Sequence, residues 1–235
     1  LVIGLAKSGV AVAKLLLHQG AIVTVNDRTP LEENPDAKSL IEEGIRVLVG
    51  SHPVDLLEEH FDFVVKNPGI PYENCMVEAA IKKGVPVYTE VEIAYHLLEG
   101  LIIGITGSNG KTTTTTLASL MLKESFPERQ VYAAGNIGIP LSELAEQSTN
   151  KDIYVSELSS FQLMGIDQFK PKIACIVNIF SAHLDYHGSR EEYINAKLQL
   201  TKNQTEEDYL VYNADYPELI TLIEGHTKAT LVPFS

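Results

Sequence analysis

The sequence predicts an α/β protein built from two consecutive parallel sheets. Three observations predict it. Short apolar runs alternate with helical patterns through nearly all 235 residues, as in parallel sheets whose strands are joined by crossover helices. Gly20 and Gly84 stand directly after helical stretches, where a glycine ends a helix in the left-handed conformation without a Cβ penalty. A glycine-rich run followed by Lys111 and Thr112 leads from an apolar strand straight into a helix.

In the first unit, strands are expected over residues 1–4, 21–25, 45–49, 61–65 and 85–88, with helices over 10–19 and 74–83. A short helix over 91–98 ends at Gly100, which puts the boundary near residues 89 to 100 and gives units of 1–90 and 91–235. The second unit runs strand 101–105, helix 112–124, strand 130–133, helix 141–147 and strand 152–156. It continues with strand 173–178, helix 190–201, strand 209–213, helix 216–224 and strand 229–232. The chain opens and stops on apparent strands. We therefore expect a clipped N-terminus and an incomplete second sheet, with more chain after Ser235.

A hydrophobic share of 45% and a charged share of 21% are ordinary for a packed core and exclude a disordered or fibrous chain. The net charge of −13, with no Lys/Arg-rich run, argues against nucleic acid or an anionic membrane as the main partner. An acidic chain that binds phosphates must use local devices: backbone amides, a single lysine, metal ions. Cys75 and Cys175 lie far apart in no metal-like spacing. Free thiols in a reducing cytoplasm are the simpler reading, with a disulfide left open. No 18-residue apolar run and no charged-then-apolar leader occurs.

The run Gly107-Ser108-Asn109-Gly110-Lys111-Thr112 is the sharpest signal. Strand, glycine turn, Lys-Thr and helix in that order cradle nucleotide phosphates. Amides of the turn and helix start point at the anion, the lysine adds charge, and the threonine hydroxyl can ligate Mg²⁺. Glycines at 107 and 110 stand where backbone must curl around a phosphate. Position 105 is Ile rather than the usual first glycine of the motif, so the loop is a variant. A plain strand–helix turn with a surface lysine is the alternative. We expect ATP and Mg²⁺, with Gly107, Ser108, Asn109, Gly110, Lys111, Thr112 and Thr113 around the phosphates and Lys111 catalytic.

Open α/β sheets bind ligands beyond the C-terminal ends of their strands. Glu157 follows the strand expected over 152–156, where a carboxylate suits Mg²⁺; a helix-start glutamate is the bland reading. His183 and Asp185 follow strand 173–178. There a satisfied imidazole competes with a second Mg²⁺ site, and we expect His183 to serve catalysis, substrate and metal. Asn136, between Gly135 and Gly138, can contact substrate or hold a left-handed turn. Ser159 and Ser160 lack a Gly-x-Ser-x-Gly elbow and read as hydrogen-bonding or helix-start residues. Lys197, taken alone, is a solvated lysine on a mixed helix.

The first unit opens like a dinucleotide fold, but Ala6 stands between Gly4 and Gly9 where a second glycine would let backbone approach a pyrophosphate. Asp27 fits a ribose-binding acid in spacing, while Arg28 favours anionic groups. Ser8, Asp27, Arg28 and Asn67 are the candidates for a diphosphate sugar nucleotide, with structural turn roles as the alternative.

The segment Ile105-Thr106-Gly107-Ser108-Asn109-Gly110-Lys111-Thr112-Thr113 resembles the ATP-binding signature of the Mur ligases and folylpolyglutamate synthases. Gly135-Asn136-Ile137-Gly138, Glu157-Leu158-Ser159-Ser160-Phe161-Gln162-Leu163, His183-Leu184-Asp185 and Ala196-Lys197-Leu198 come in the order and spacing of one Mur ligase branch. Gly4-Leu5-Ala6-Lys7-Ser8-Gly9, Asn26-Asp27-Arg28 and Asn67-Pro68-Gly69-Ile70 resemble that branch's uridine-nucleotide domain. The resemblance runs over essentially the whole chain.

It implies a Rossmann-like N-terminal domain, then a P-loop ATPase-type α/β domain, with a third, amino-acid-binding domain beyond these residues. The activity implied is ATP-dependent ligation of D-glutamate to UDP-MurNAc-L-alanine through an acyl phosphate, in peptidoglycan precursor synthesis, by a cytoplasmic monomer. The resemblance also implies a carbamylated, catalytic Lys197 that helps Thr112, Glu157 and His183 organise metal. One departure is Ala182, where many relatives carry an acid before the histidine. Other readings stay open at this point: another Mur ligase or a folylpolyglutamate synthase, a non-catalytic P-loop switch, or an NAD-dependent oxidoreductase.

Overall fold

The computed structural model describes residues 1–180 and 184–235. Strands β1 (Val2–Ile3), β2 (Thr24–Asp27), β3 (Arg46–Val49), β4 (Val64–Lys66) and β5 (Val87–Tyr88) form a parallel sheet in the order β3-β2-β1-β4-β5. Its helices are α1 (Lys7–His18), α2 (Pro35–Glu42) and α3 (Cys75–Lys82). The linker helix α4 (Glu90–Tyr95) leads to a second parallel sheet. That sheet holds β6 (Leu101–Thr106), β7 (Val131–Gly135), β8 (Ile153–Glu157), β9 (Ile173–Ile176), β10 (Tyr209–Asn213) and β11 (Thr230–Phe234) in the order β11-β10-β9-β6-β8-β7. Around it run α5 (Lys111–Ser125), α6 (Leu141–Ala145), α7 (Ser160–Leu163), α8 (Leu184–His187), α9 (Arg190–Leu198) and α10 (Pro217–Ile223).

The sheets share a plan but differ in one step: β2 lies beside β1, whereas β8 rather than β7 lies beside β6. The first strand of each is central, and successive strands go to one side of it before the order reverses to the other. Such a reversal opens a crevice at the C-terminal strand ends. In the first sheet the loops after β1 and β4 meet there, since Val2 pairs with Val65. In the second the loops after β6 and β9 meet, since Thr106 pairs with Ile176.

Several elements differ from the sequence expectation for physical reasons. Helix α1 begins at Lys7, so Ser8 lies in its first turn rather than in a loop. Helix α2 was not expected, although its start was written in the chain: the Asn34 side chain accepts the Ala37 N–H at 3.0 Å and Pro35 fills the first helical position. Strand β8 runs one residue further than expected, so Glu157 is its last residue and not the one after it. The helix expected over 190–201 ends at Leu198 and tightens into a 3-10 turn, Gln199–Thr201. Strand β11 extends through Pro233, tolerated because an edge strand has one side without a ladder.

The linker helix belongs to both cores. Val91 and Ala94 pack with the second sheet, while Ile93 packs with the first, together with Ala145 from α6. Two buried carboxylates pin this helix. Glu92 accepts amide hydrogen bonds from Asp167, Gln168 and Phe169 at 2.8, 2.8 and 3.0 Å, and Glu90 accepts one from Ser142 at 2.5 Å. Burial pushes the Glu90 carboxyl up to about 7 against the pull of the Ser142 amide. Both cysteines are free thiols, Cys75 exposed and Cys175 buried.

Candidate functional site

The phosphate loop is formed where β6 passes into α5. Gly110 caps the helix at φ +78°, a left-handed position that favours glycine. A Cβ on Gly107 would come within 3.2 Å of Val177 and 3.3 Å of the Asn178 backbone. The first helical backbone bond runs from the Thr114 N–H to the Gly110 carbonyl at 2.9 Å. The N–H groups of Lys111, Thr112 and Thr113 therefore have no carbonyl one turn back and face outward at the positive end of the helix.

The loop is braced by a residue the sequence reading passed over. Asn178, just after β9, accepts the Ser108 and Asn109 N–H groups on its Oδ1 at 3.0 and 2.9 Å and donates to the Asn109 carbonyl at 3.1 Å. The Ser108 hydroxyl lies 2.9 Å from that of Tyr193 on α9. An asparagine ending the apolar strand expected over 173–178 was the available signal.

Two lysines converge on one carbonyl. Lys111 Nζ donates to the Gly107 and Ser108 carbonyls at 2.9 and 3.0 Å, and Lys197 Nζ donates to the Gly107 carbonyl at 2.8 Å. Lys197 is buried and not a solvated lysine: it is 1% exposed, with its ammonium 4.7 Å from the Tyr193 ring centroid. Burial, with the Lys111 charge as a second contribution, lowers it to about 7.

On the other side of the loop stands Glu157, 2% exposed at the end of β8. It accepts the Thr112 hydroxyl on one oxygen at 2.7 Å and the Asn136 amide on the other at 2.8 Å. Gly135, paired with Glu157 across β7 and β8, has φ +93°, and a Cβ there would lie 2.4 Å from the Glu157 carbonyl oxygen. The strand ends can meet this closely only with glycine in place.

Thr112, Glu157 and Asn136 are thus one hydrogen-bonded chain, and Lys111 and Lys197 are joined through the Gly107 carbonyl. Among the described residues no ion pair links Lys197 to Glu157. His183, and the side chain of Asp185, lie outside the described residues. Ser159 caps α7 in a reciprocal capping box with Gln162.

Of the first-sheet candidates, Asp27, Arg28 and Asn67 line a cavity of about 270 Å³ together with His52 and Asn74 among others, while Ser8 lines the neighbouring one. Asp27 is committed to the loops: its oxygens accept the Leu5 and Thr29 N–H groups at 2.7 and 2.8 Å. Burial pushes its carboxyl up, but these amides and His52 outweigh it and the net shift is downward. Ser8 and Asn67 are joined, the amide donating to the hydroxyl at 3.0 Å. Gly9 lets α1 approach β1, since a Cβ there would sit 1.9 Å from the Gly4 carbonyl oxygen.

A second cavity of about 430 Å³ shares Ala6, Asn67 and Gly69 with the first and continues to Asn136, Ser159 and Gln162. The path from Arg28 to Asn136 therefore crosses from one sheet to the other. Lys7 bridges the same gap by donating to the Gly138 carbonyl at 3.1 Å.

Fold and loop together define a two-domain parallel α/β class with a P-loop-type phosphate cradle. The Mur ligase middle domain matches residues 105–235, and the Mur ligase MurD-like N-terminal domain matches residues 1–89. The chain belongs to the Mur ligase family.

Among its curated relatives are proteins named UDP-N-acetylmuramoylalanine–D-glutamate ligase. That of Lactiplantibacillus plantarum is 55% identical over all 235 residues, and that of Geobacillus sp. (strain WCH70) is 57% identical. In each case the match takes in 100% of this chain and 51% of the relative, so the chain spans about half the length of these relatives. Solved structures share the fold. The UDP-N-acetylmuramate:L-alanyl-gamma-D-glutamyl-meso-diaminopimelate ligase of Neisseria meningitides superposes at a TM-score of 0.65 with 18% identity, over 99% of this chain and 76% of that one. The UDP-N-acetylmuramate-alanine ligase of Thermotoga maritima does so at 0.52 with 21% identity, over 98% and 52%.

Proposed function

We propose that this chain carries the sugar-nucleotide and ATP sites of an ATP-dependent ligase that joins D-glutamate to UDP-MurNAc-L-alanine. The division of labour follows the boundary near residue 90: residues 1–90 hold the sugar nucleotide and residues 91–235 hold ATP. The observation that carries the reading is the hydrogen-bonded chain Thr112–Glu157–Asn136, which joins the phosphate loop to the cavity running back to Arg28. The names of the curated relatives support it. The T. maritima MurF ligase solved with ADP shares this fold at a TM-score of 0.51 and 18% identity, over 89% of this chain and 47% of that one.

In this reading the alanyl carboxylate attacks the γ-phosphorus of ATP, the bond to the ADP oxygen breaks, and an acyl phosphate forms. The amine of D-glutamate then attacks the acyl carbon, phosphate leaves, and the nitrogen gives up a proton. The residues act by position and charge. The amides of residues 111–113 and the Lys111 ammonium receive the phosphates, and Lys111 exchanges its loop carbonyls for phosphate oxygens. Asn136 orients the substrate end at the mouth of the second cavity, and Ser8, Asp27, Arg28 and Asn67 hold the nucleotide end.

Mg²⁺ fits the donor set, because Thr112 and Glu157 present hard oxygens 2.7 Å apart beside the phosphate cradle. When bound it would supply charge neutralisation on the transferring phosphoryl group. His183 and a carbamylated Lys197 complete the proposed set. Two free thiols and an ATP-driven reaction fit a cytoplasmic location, which we propose together with a monomeric state.

The test is phosphate release by the full-length protein. Release that requires both UDP-MurNAc-L-alanine and D-glutamate supports the reading. Release with ATP alone, or with a different amino acid in preference, overturns it.

A further inference from the structure

Behind the wall shared by the two cavities lies a cation that none of these roles uses. Lys66, the last residue of β4, is 0% exposed. Its ammonium donates to the Ile70 carbonyl at 2.8 Å, to the Pro68 carbonyl at 3.4 Å and to the Tyr186 hydroxyl at 3.3 Å. It also lies 4.6 Å from the Tyr72 ring centroid. Tyr186 stands on α8, in the other half of the molecule. It offers its single hydroxyl proton to the same two carbonyls, at 2.9 Å for Ile70 and 3.2 Å for Pro68. Tyr72 crosses in the opposite sense and donates to the Met164 carbonyl at 3.1 Å.

The loop held this way is the one that presents Asn67 and Gly69 to both cavities. Just past the loop, a further cavity of about 580 Å³ is lined by Tyr72, Glu73, Tyr186 and His187 among others. Ile70 packs against the first core, but the rest of the loop borders the two cavities and depends on hydrogen bonds for its shape. Both inward carbonyls need donors, and a single hydroxyl proton cannot serve both. An ammonium with three donors can. Burying that charge is costly, and desolvation lowers Lys66 to about 8. A methionine of similar length would avoid the cost but would leave the carbonyls short of donors.

We infer that Lys66 and Tyr186 are positioning residues for the uridine nucleotide. Together they set the shape of the loop over residues 67–71 and tie it to helix α8 of the second domain. The inference rests on the reading of the two front cavities as the sugar-nucleotide site.

The experiment compares full-length wild type with Lys66→Met, Tyr186→Phe and the double variant. Calorimetry gives the dissociation constants of UDP-MurNAc-L-alanine and, separately, of ATP. Each single variant should weaken nucleotide binding on the order of ten-fold. ATP affinity should stay within about two-fold, and the double variant should lose less than the product of the single effects, because both act on the same carbonyls. Tyr186→Phe removes one oxygen and keeps the ring, so it still tests the idea if Lys66→Met does not fold. Unchanged nucleotide affinity in Tyr186→Phe overturns the inference. So does an equal loss of nucleotide and ATP affinity, which would mark a general structural role. Wild type that fails to bind the nucleotide would instead overturn the functional reading beneath it.

Discussion

Lys197 supports the sharpest prediction, because its environment sets how much reactive amine it offers. A lysine at its ordinary value of 10.5 is neutral in roughly one molecule in three thousand at pH 7, whereas at about 7 half the molecules are neutral. The depression gives Lys197 on the order of a thousand-fold more free amine for attack on carbon dioxide. The nitrogen bonds to carbon and loses a proton, and the side chain becomes a carbamate anion. Two causes act together. Burial disfavours the ammonium, and Lys111, bonded to the same Gly107 carbonyl, repels it. Once the carbamate forms, the second cause changes sign, since a cation then faces an anion.

The assay uses full-length protein equilibrated with ¹³C-bicarbonate. A carbamate resonance should appear in ¹³C NMR, and chemical trapping followed by peptide mass analysis should locate it at residue 197. Lys197→Ala should lose most activity and regain part of it with added short carboxylates. Lys197→Arg should not recover, because a guanidinium cannot supply the oxygens. In Lys111→Ala the Lys197 amine should titrate higher than in wild type. Active enzyme with no trapped adduct at residue 197, or wild-type turnover by Lys197→Ala in bicarbonate-free buffer, would refute the reasoning.

Lys111→Ala should abolish phosphate release while leaving the thermal midpoint nearly unchanged, since its hydrogen bonds go to loop carbonyls; turnover near wild type in a soluble variant would remove Lys111 from the site. Glu90→Gln should change how stability depends on pH. The folded carboxyl at about 7 lies above its ordinary 4.5, so the folded state holds the extra proton and wild-type stability falls as pH rises between those values. The neutral variant should gain up to about 3 kcal/mol over wild type above pH 7 and little below pH 4.5, read by urea titration at several pH values; a difference independent of pH would count against it. In the first cavity, calorimetry should show UDP-MurNAc-L-alanine binding and no NAD binding, with Arg28→Ala weakening the former by about ten-fold. Micromolar NAD affinity without uridine-nucleotide affinity would reverse that assignment.

What could be read in the sequence was what local pattern controls. The apolar runs marked the strands because both faces of a parallel sheet are covered. The phosphate loop was visible because its glycines and Lys111-Thr112 serve a local geometry. The four-residue helices α7 and α8 are too short for any period to show. Asn178 was hidden because its task exists only once β9 lies beside β6, a partnership no neighbouring residue announces. Lys197 sits on a helix that mixes Tyr193, Ile194 and Leu198 with charged residues, so the residues alone argued for solvent. Only the resemblance pointed inward, where the structure puts it. Lys66 was passed over, just beyond the strand expected over 61–65, since a buried cation held by backbone carbonyls leaves no mark in composition.

Helix α4 and Ala145 have a consequence for how the chain is made. The first sheet's core is not closed by residues of its own segment: Ile93 and Ala145 pack into it with Val12, Ala13 and Leu15 of α1. A ribosome releasing the chain from its N-terminus exposes that face of α1 until residue 145 has emerged, well after β5 has been synthesised. Vectorial folding usually lets an N-terminal domain finish first. Here the core of the early sheet gains its last buried residue only from a helix encoded inside the second domain.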